Sequence, residues 1–157
     1  MPVFHITNVI HAPIEVVFDL SRNITLHKLS QRDFGEEVIG GTQSGCINLG
    51  ETVTWKAKHL MRTRFMQVKI SAMERPDHFC DEQMRGDFKM FKHEHHFKSI
   101  DNGTIMIDRL EFETPYGLLG KLFNTFYLEK YMRQLIERRN KTIREYAESE
   151  KWKALLK

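Results

Sequence analysis

Hydrophobic and polar residues alternate through the middle of the chain, a pattern typical of strands with one buried face and one solvated face. A first strand is predicted over Val3–His11, ahead of a short region with helical periodicity. Six further strands are predicted at Phe34–Ile39, around Val53–His59, around Met66–Ala72, and over His78–Arg85, Phe88–Ile100 and Thr104–Thr114. The pattern therefore predicts a sheet of about seven antiparallel strands.

Apolar residues recur at helical spacing in three segments. Two short helices are predicted after the first strand, one following Pro13 and one over Ile24–Ser30, and a long helix is predicted over Leu118–Glu150. Helices segregated at the ends of a run of antiparallel strands indicate an α+β fold. We expect a curved sheet that wraps the long C-terminal helix, in a helix-grip arrangement, with a hollow between them. One domain is predicted over residues 1–157.

Composition and charge exclude several classes of function. The net charge is +3 with both signs interspersed, which does not predict nucleic-acid binding. The basic cluster within Arg138–Arg144 is predicted to be a solvated helix face. No transmembrane segment or signal peptide is predicted, so we expect a cytoplasmic protein. Cys46 and Cys80 stand apart from any CxxC pair, and neither a metal nor a cofactor is predicted.

Several short motifs occur in a fixed order along nearly the whole chain. They are Ala12–Leu20, Gly50–Trp55, Arg75-Pro76, Phe88–Phe97 with its His-x-His, Gly103-Thr104 with Met106 and Asp108, and Pro115-Tyr116-Gly117. This order resembles the START-like, or SRPBCC, superfamily, which includes the birch-pollen-allergen fold, polyketide cyclases and lipid-transfer domains. The closer resemblance is to bacterial SRPBCC proteins described as cell division inhibitors or ligand-binding proteins. The resemblance implies a helix-grip fold with an internal cavity, and it implies no single reaction.

The segment Phe91–Phe97 contains the sharpest candidate chemistry. Residues two apart in a strand share a face, so Phe91, His93, His95 and Phe97 are predicted to point inward, opposite the charged set. The inward face of the next strand is predicted to carry three apolar residues and one carboxylate, Met106, Leu110, Phe112 and Asp108.

The turn between these two strands sets their register. If Asn102-Gly103 forms a two-residue turn, Asp101 pairs with Thr104 and His95 lies opposite Leu110. Asp108 is then a diagonal neighbour of His95, within about 7–8 Å. A buried carboxylate needs a partner, so the two side chains are predicted to interact.

Three interpretations of this cluster stay open. In the first, Asp108 and His95 form a structural hydrogen bond inside the sheet. In the second, His93, His95, Asp108 and Trp55 are the polar contact points of an apolar pocket. In the third, His95 and Asp108 act as a catalytic acid–base pair, or the His-x-His with an acidic residue holds a metal.

The favoured hypothesis is a non-enzymatic domain that binds or transports a small hydrophobic or amphipathic molecule between the sheet and the C-terminal helix. The predicted ligand-binding residues are Trp55, Val68, Phe91, His93, His95, Met106, Asp108, Phe112, Phe123, Phe126 and Met132. The alternative is an enzyme resembling polyketide cyclases and dehydrases that uses His95 and Asp108. A protein-docking module is a third hypothesis, and a homodimer stays open.

Overall fold

The computed structural model describes residues 3–114 and 118–156, and within the second range it describes side chains from residue 126 onward. Its strands are β1 Val3–Ile10, β2 Glu37–Gly41, β3 Thr52–His59, β4 Arg62–Glu74, β5 His78–Arg85, β6 Met90–Ile100 and β7 Gly103–Glu113. Its helices are α1 Ile14–Ser21, α2 Ile24–Ser30, α3 Leu118–Ala147 and α4 Trp152–Leu155. Among the described residues, no helix has the length and apolar character needed to cross a membrane.

The seven strands form one antiparallel sheet in the order β1-β7-β6-β5-β4-β3-β2. The register shifts between Val38 and Gly40 in β2, and again at two places in β4. Such irregularities bend strands and increase twist, and the sheet is curved. The predicted α+β helix-grip fold, with two short helices after the first strand, is therefore confirmed.

The two short helices begin where local chemistry favours a helix start. Pro13, with φ of −60°, directly precedes α1, and the fixed φ of proline suits a helix entry. The side chain of Asn23 accepts a hydrogen bond of 2.9 Å from the backbone N–H of Leu26 and so caps α2. Both helices then bury apolar residues against the sheet, including the fully buried Phe18.

Two clusters of apolar side chains fill most of the interior. In the larger one, Phe18 of α1 makes edge contacts with the rings of Phe79 and Phe97, at centroid distances of 5.4 and 5.2 Å. The smaller one lies around Phe112 of β7 and Ile136 of α3. Edge-to-face aromatic pairs of this kind stabilise a fold by about 0.5–1.5 kcal/mol beyond the area they bury.

The hairpin between β6 and β7 differs from the predicted one. Asp101 and Asn102 form the turn, and Ile100 pairs with Gly103. A Cβ atom on Gly103 would lie 2.3 Å from the carbonyl oxygen of Ile10, so this glycine permits a close approach of β1 and does not supply the turn. Relative to the predicted register, β7 is shifted by two residues along β6, so His95 lies directly opposite Asp108 and not opposite Leu110. Because the shift is even, every side chain keeps its predicted face.

Candidate functional site

A cavity of about 390 Å³ lies between the concave face of the sheet and α3. This volume is in the range of sites that hold small molecules. Its wall is mostly apolar and includes Val53, Trp55, Met66, Val68, Ile70, Phe79, Phe91, Leu128, Met132, Leu135 and Ile136. The sequence predicted such a hollow from the need of a curved sheet to wrap one helix.

The cavity is bordered by exposed residues at one end. Phe65 is 51% exposed and Tyr127 is 56% exposed, and Asp87, which also lines the cavity, is exposed as well. These residues belong to the β3–β4 hairpin, the β5–β6 connection and α3. We therefore place the mouth of the cavity between those two hairpins and the helix.

A buried polar network lies at the wall of the cavity and is centred on Asp108 of β7. Its carboxylate is 1% exposed. Oδ1 accepts a hydrogen bond of 2.8 Å from Nε2 of His93 and lies 3.4 Å from Nδ1 of His95. The sequence predicts that His95 interacts with Asp108; the two side chains lie close together, but the hydrogen bond to Asp108 comes from His93.

Two residues of α3 complete the bonding of Asp108. Arg139 donates a hydrogen bond of 3.1 Å to Oδ1, and Asn140 donates one of 2.7 Å to Oδ2. Asn140 also donates to the side-chain oxygen of Asn8 in β1, at 2.9 Å. The network therefore joins the helix to two neighbouring strands, and the buried charge of Asp108 is paired as burial requires.

The bonding partners of His95 define its tautomer. A guanidinium can only donate, so Nδ1 of His95 accepts the 3.2 Å hydrogen bond from Nη2 of Arg139. Nε2 then carries the hydrogen and donates to Oδ2 of Asp81, at 2.7 Å. Both nitrogens of His95 are thus engaged, whereas Nδ1 of His93 has no hydrogen-bond partner within the described part of the chain.

The network controls the ionisation of its members. Burial opposes ionisation of Asp108, but the guanidinium of Arg139 and the hydrogen bond from His93 hold its pKa well below the ordinary value. Burial also raises the pKa of Asp81, but the hydrogen bond from His95 together with the neighbouring His93 and Arg139 leaves this pKa below its ordinary value. Burial and the neighbouring His95 lower the pKa of His93, so its ring is neutral at pH 7.

A second polar group borders the cavity on the segment between α2 and β2. Gln31 and Glu36 are 4% and 8% exposed. Oε1 of Gln31 has no hydrogen-bond partner among the described residues. Oε1 of Glu36 lies 3.0 Å from Nε2 of His27, in a geometry outside that of a hydrogen bond. Two buried acceptors therefore adjoin the apolar space.

The predicted ligand-binding residues divide into those that line the cavity and those that do not. The wall includes six of them, Trp55, Val68, Phe91, His93, His95 and Met132. Three others, Met106, Asp108 and Phe112, are buried behind the wall in the packed interior. Phe126 is 76% exposed and does not line the cavity, and the side chain of Phe123 lies outside the described residues.

Sequence reasoning missed Asp81 and misplaced Arg139. Asp81 lies two residues after the inward Phe79, so strand alternation was sufficient to find it. Arg139 was assigned to a solvated face, but it is 4% exposed. It lies three residues after Ile136 and four before Ile143, which are both buried, so helical spacing places it on the buried face.

Several solved structures have a similar arrangement of strands and helices. No family model matches the chain, and no curated protein matches its sequence. A crystal structure of TTHA0849 from Thermus thermophilus is similar, with a TM-score of 0.72 and 19% identity, and the match covers 93% of this chain and 97% of that one. The aromatase/cyclase Zhui from Streptomyces has a TM-score of 0.74 and 11% identity, covering 94% and 93% of the two chains.

A START superfamily protein from Mycobacterium smegmatis is similar in the same way, with a TM-score of 0.69, 12% identity, and coverage of 93% of this chain and 97% of that one. At these identities the likeness concerns the arrangement of strands and helices, which agrees over almost the whole length. The chain therefore has the helix-grip fold of the START-like, or SRPBCC, proteins.

Proposed function

We propose that this protein binds a small amphipathic molecule in the cavity between the sheet and α3. The observation that carries the proposal is the cavity itself, about 390 Å³ with a mostly apolar wall and a small number of buried polar groups. Such a combination is the usual form of a small-molecule site, in which apolar contacts supply affinity and a few polar groups orient the ligand. Solved structures with the same fold include an aromatase/cyclase and a START superfamily protein.

The polar groups favour a ligand that donates hydrogen bonds. Oε1 of Gln31 lacks a partner among the described residues, and Glu36, whose Oε1 lies 3.0 Å from His27, adds a second buried acceptor at the same wall. A buried acceptor without a donor costs about 1–3 kcal/mol. A ligand hydroxyl or amine that reaches these oxygens removes this cost, whereas a pure hydrocarbon does not.

Native mass spectrometry of freshly purified protein tests the proposal most directly. We expect a fraction of the protein to carry a small molecule that is released on unfolding and that contains both an apolar body and a hydroxyl or amino group. A phosphate ester or a metal as the only released component would contradict the proposed ligand class.

A fluorescence titration tests the location of the site. Trp55 lines the cavity, so in a Trp152→Phe background we expect the dye 1-anilinonaphthalene-8-sulfonate to quench Trp55. The Val68→Phe variant narrows the cavity, and we expect it to weaken dye binding by about tenfold, or 1.4 kcal/mol. Val9 in β1 is 42% exposed, so Val9→Phe is the matched control and should leave the affinity unchanged. Equal affinities for the two variants would place the dye elsewhere.

A catalytic role is the second candidate, because His93, His95 and Asp81 border the same cavity. The sequence hypothesis pairs His95 with Asp108 in a cyclase- or dehydrase-like reaction, but Asp108 lies behind the wall, and the carboxylate bonded to His95 at the cavity is that of Asp81. The bonding favours His93 as an additional participant, since its Nδ1 has no protein partner among the described residues. Full turnover of an identified substrate by both the His95→Ala and the His93→Asn variant would end this candidate.

A further inference from the structure

The outer face of the sheet carries a second group of histidines, on the side opposite the cavity. His78 of β5 pairs directly with His96 of β6, and Glu94 lies two residues before His96 on the same face. The two imidazole rings stack with their centroids 4.8 Å apart and their planes at 30°. One ligating atom from each of the three side chains lies within 4.8 Å of both others.

These separations are close to those required by a metal ion. Zinc binds imidazole nitrogen at about 2.0–2.1 Å and carboxylate oxygen at about 2.0–2.2 Å, so two neighbouring tetrahedral ligands lie about 3.4 Å apart. Nε2 of His96 lies 3.7 Å from Oε1 of Glu94. His78 and Glu94 are half-buried and His96 is exposed, so side-chain rotation can bring the three donors to one ion.

The carboxylate of Glu94 is held in an orientation that leaves one oxygen available. Oε2 accepts a hydrogen bond of 2.8 Å from Arg109 of β7, which itself also contacts Glu111 at 3.3 Å. Oε1 faces His96. A hydrogen-bonding partner behind a ligating carboxylate fixes its direction, as is usual at metal sites.

We propose that His78, Glu94 and His96 bind a divalent transition metal ion of the Zn²⁺ class on the outer face of the sheet. Two imidazoles and one carboxylate suit zinc, copper or nickel better than calcium or magnesium. The side chain of His96 is 45% exposed, so the remaining coordination positions open to water. This site is separate from the cavity and does not depend on the proposed ligand.

The inner histidines are a poorer metal site, although Asp81, His93 and His95 also bring ligating atoms within 4.8 Å of one another. Asp81 and His95 already bond to each other at 2.7 Å. Arg139 donates to the other nitrogen of His95, so a fixed positive charge lies beside the place that an ion would take. Because both nitrogens of His95 are already engaged, the outer cluster is the better candidate.

Isothermal titration calorimetry with ZnCl₂ tests the proposal on protein freed of metal by a chelator. We expect one saturable site per chain, and we expect His78→Ala and His96→Ala each to weaken it by more than about tenfold, since each removes one ligand. Glu94→Gln, which keeps the shape of the side chain, should weaken it as well. The exposed His5 of β1 provides the matched control, and His5→Ala should leave the affinity unchanged.

Two outcomes overturn the site. One is the absence of saturable zinc binding by the wild-type protein. The other is an unchanged affinity in the His78→Ala and His96→Ala variants, with loss in His93→Ala, which would place the ion at the inner cluster. Because the outer side chains are partly exposed, thermal melts of the outer-face variants should match the wild type and separate loss of binding from loss of folding.

Discussion

Asp108 receives hydrogen bonds from side chains on both β6 and α3, and no water reaches it directly because it is 1% exposed. Its negative charge is stabilised chiefly by Arg139, which is itself 4% exposed. Neither charged side chain is in contact with bulk solvent in the folded protein. Removing either side chain therefore leaves the other as an unpaired buried charge.

We predict that Asp108→Asn destabilises the protein by about 3–5 kcal/mol, because it leaves Arg139 without its nearest counter-charge. Urea unfolding followed by circular dichroism measures this change. Asp33→Asn is the control, since Asp33 pairs with Arg138 on the surface with its side chain 72% exposed. The control should lose less than about 1 kcal/mol, and a similar loss in both variants would contradict the pairing.

The lowered pKa of His93 predicts that the protein loses stability in mild acid. Its pKa is lowered from 6.5 in the folded protein, through burial and the nearby His95 against the opposing Asp108 and Asp81. The unfolded chain therefore binds more protons between the two pKa values, and the free energy of unfolding falls as the pH decreases below 6.5. Asp108, whose pKa is also lowered, adds a further loss below a pH of about 4.

We expect the His93→Asn variant to show a weaker decline of the unfolding free energy between pH 7 and pH 5 than the wild type. His59 and His78 also have lowered pKa values and contribute in the same direction. The slope should therefore be reduced but not abolished. An identical slope in the variant would show that His93 titrates alike in the folded and unfolded states.

The turn between β3 and β4 holds two residues in an unfavourable backbone conformation. Leu60 and Met61 are the non-glycine residues with positive φ within the described chain, at 52° and 67°. A side chain in this region costs about 1–2 kcal/mol, and two-residue hairpin turns usually contain asparagine and glycine there. Leu60 borders the cavity, and Met61 is 92% exposed.

We predict that Met61→Gly stabilises the protein by about 1 kcal/mol, because glycine adopts a positive φ without a steric cost. Met84 is also exposed, at 56%, but it lies within β5 with ordinary strand geometry. Met84→Gly should therefore destabilise by about 1 kcal/mol through lost strand preference. If urea unfolding shows that Met61→Gly lowers the unfolding free energy as Met84→Gly does, the turn carries no strain.

Most strands and their faces were predictable from the sequence because alternation depends on local residues only. The prediction of a strand from Phe34 was wrong at its start, since Arg32–Phe34 form a 3-10 turn and β2 begins at Glu37. The register of β6 and β7 was not predictable, since Gly103 is required by the approach of Ile10, a contact between residues far apart in the chain. The exposure of Phe126 has the same origin, whereas the burial of Arg139 follows from its spacing to Ile136 and Ile143. Which side of an apolar helix faces the sheet depends on packing that periodicity alone does not contain.

At the scale of the whole molecule, the packed core and the cavity share one interior. Ile143 near the end of α3 is fully buried in the larger cluster, whereas Met132 borders the cavity. The C-terminal end of α3 thus packs against the core, and the part around Met132 covers the cavity. Apolar wall without packing partners loses dispersion contacts, so a cavity of this size lowers the stability of the fold.

This relation predicts that filling the cavity stabilises the protein while it impairs binding. Val68→Phe adds apolar surface facing the hollow, and we expect a gain of about 1 kcal/mol in the unfolding free energy, as is common for cavity-filling substitutions. A bound ligand at about 100 times its Kd should stabilise the wild type by about 2.7 kcal/mol, and Val68→Phe should lose most of this effect. A loss of about 1–3 kcal/mol in unliganded Val68→Phe would instead indicate overpacking. The hollow would then be too small for the proposed ligand, because it could not accept even one added ring.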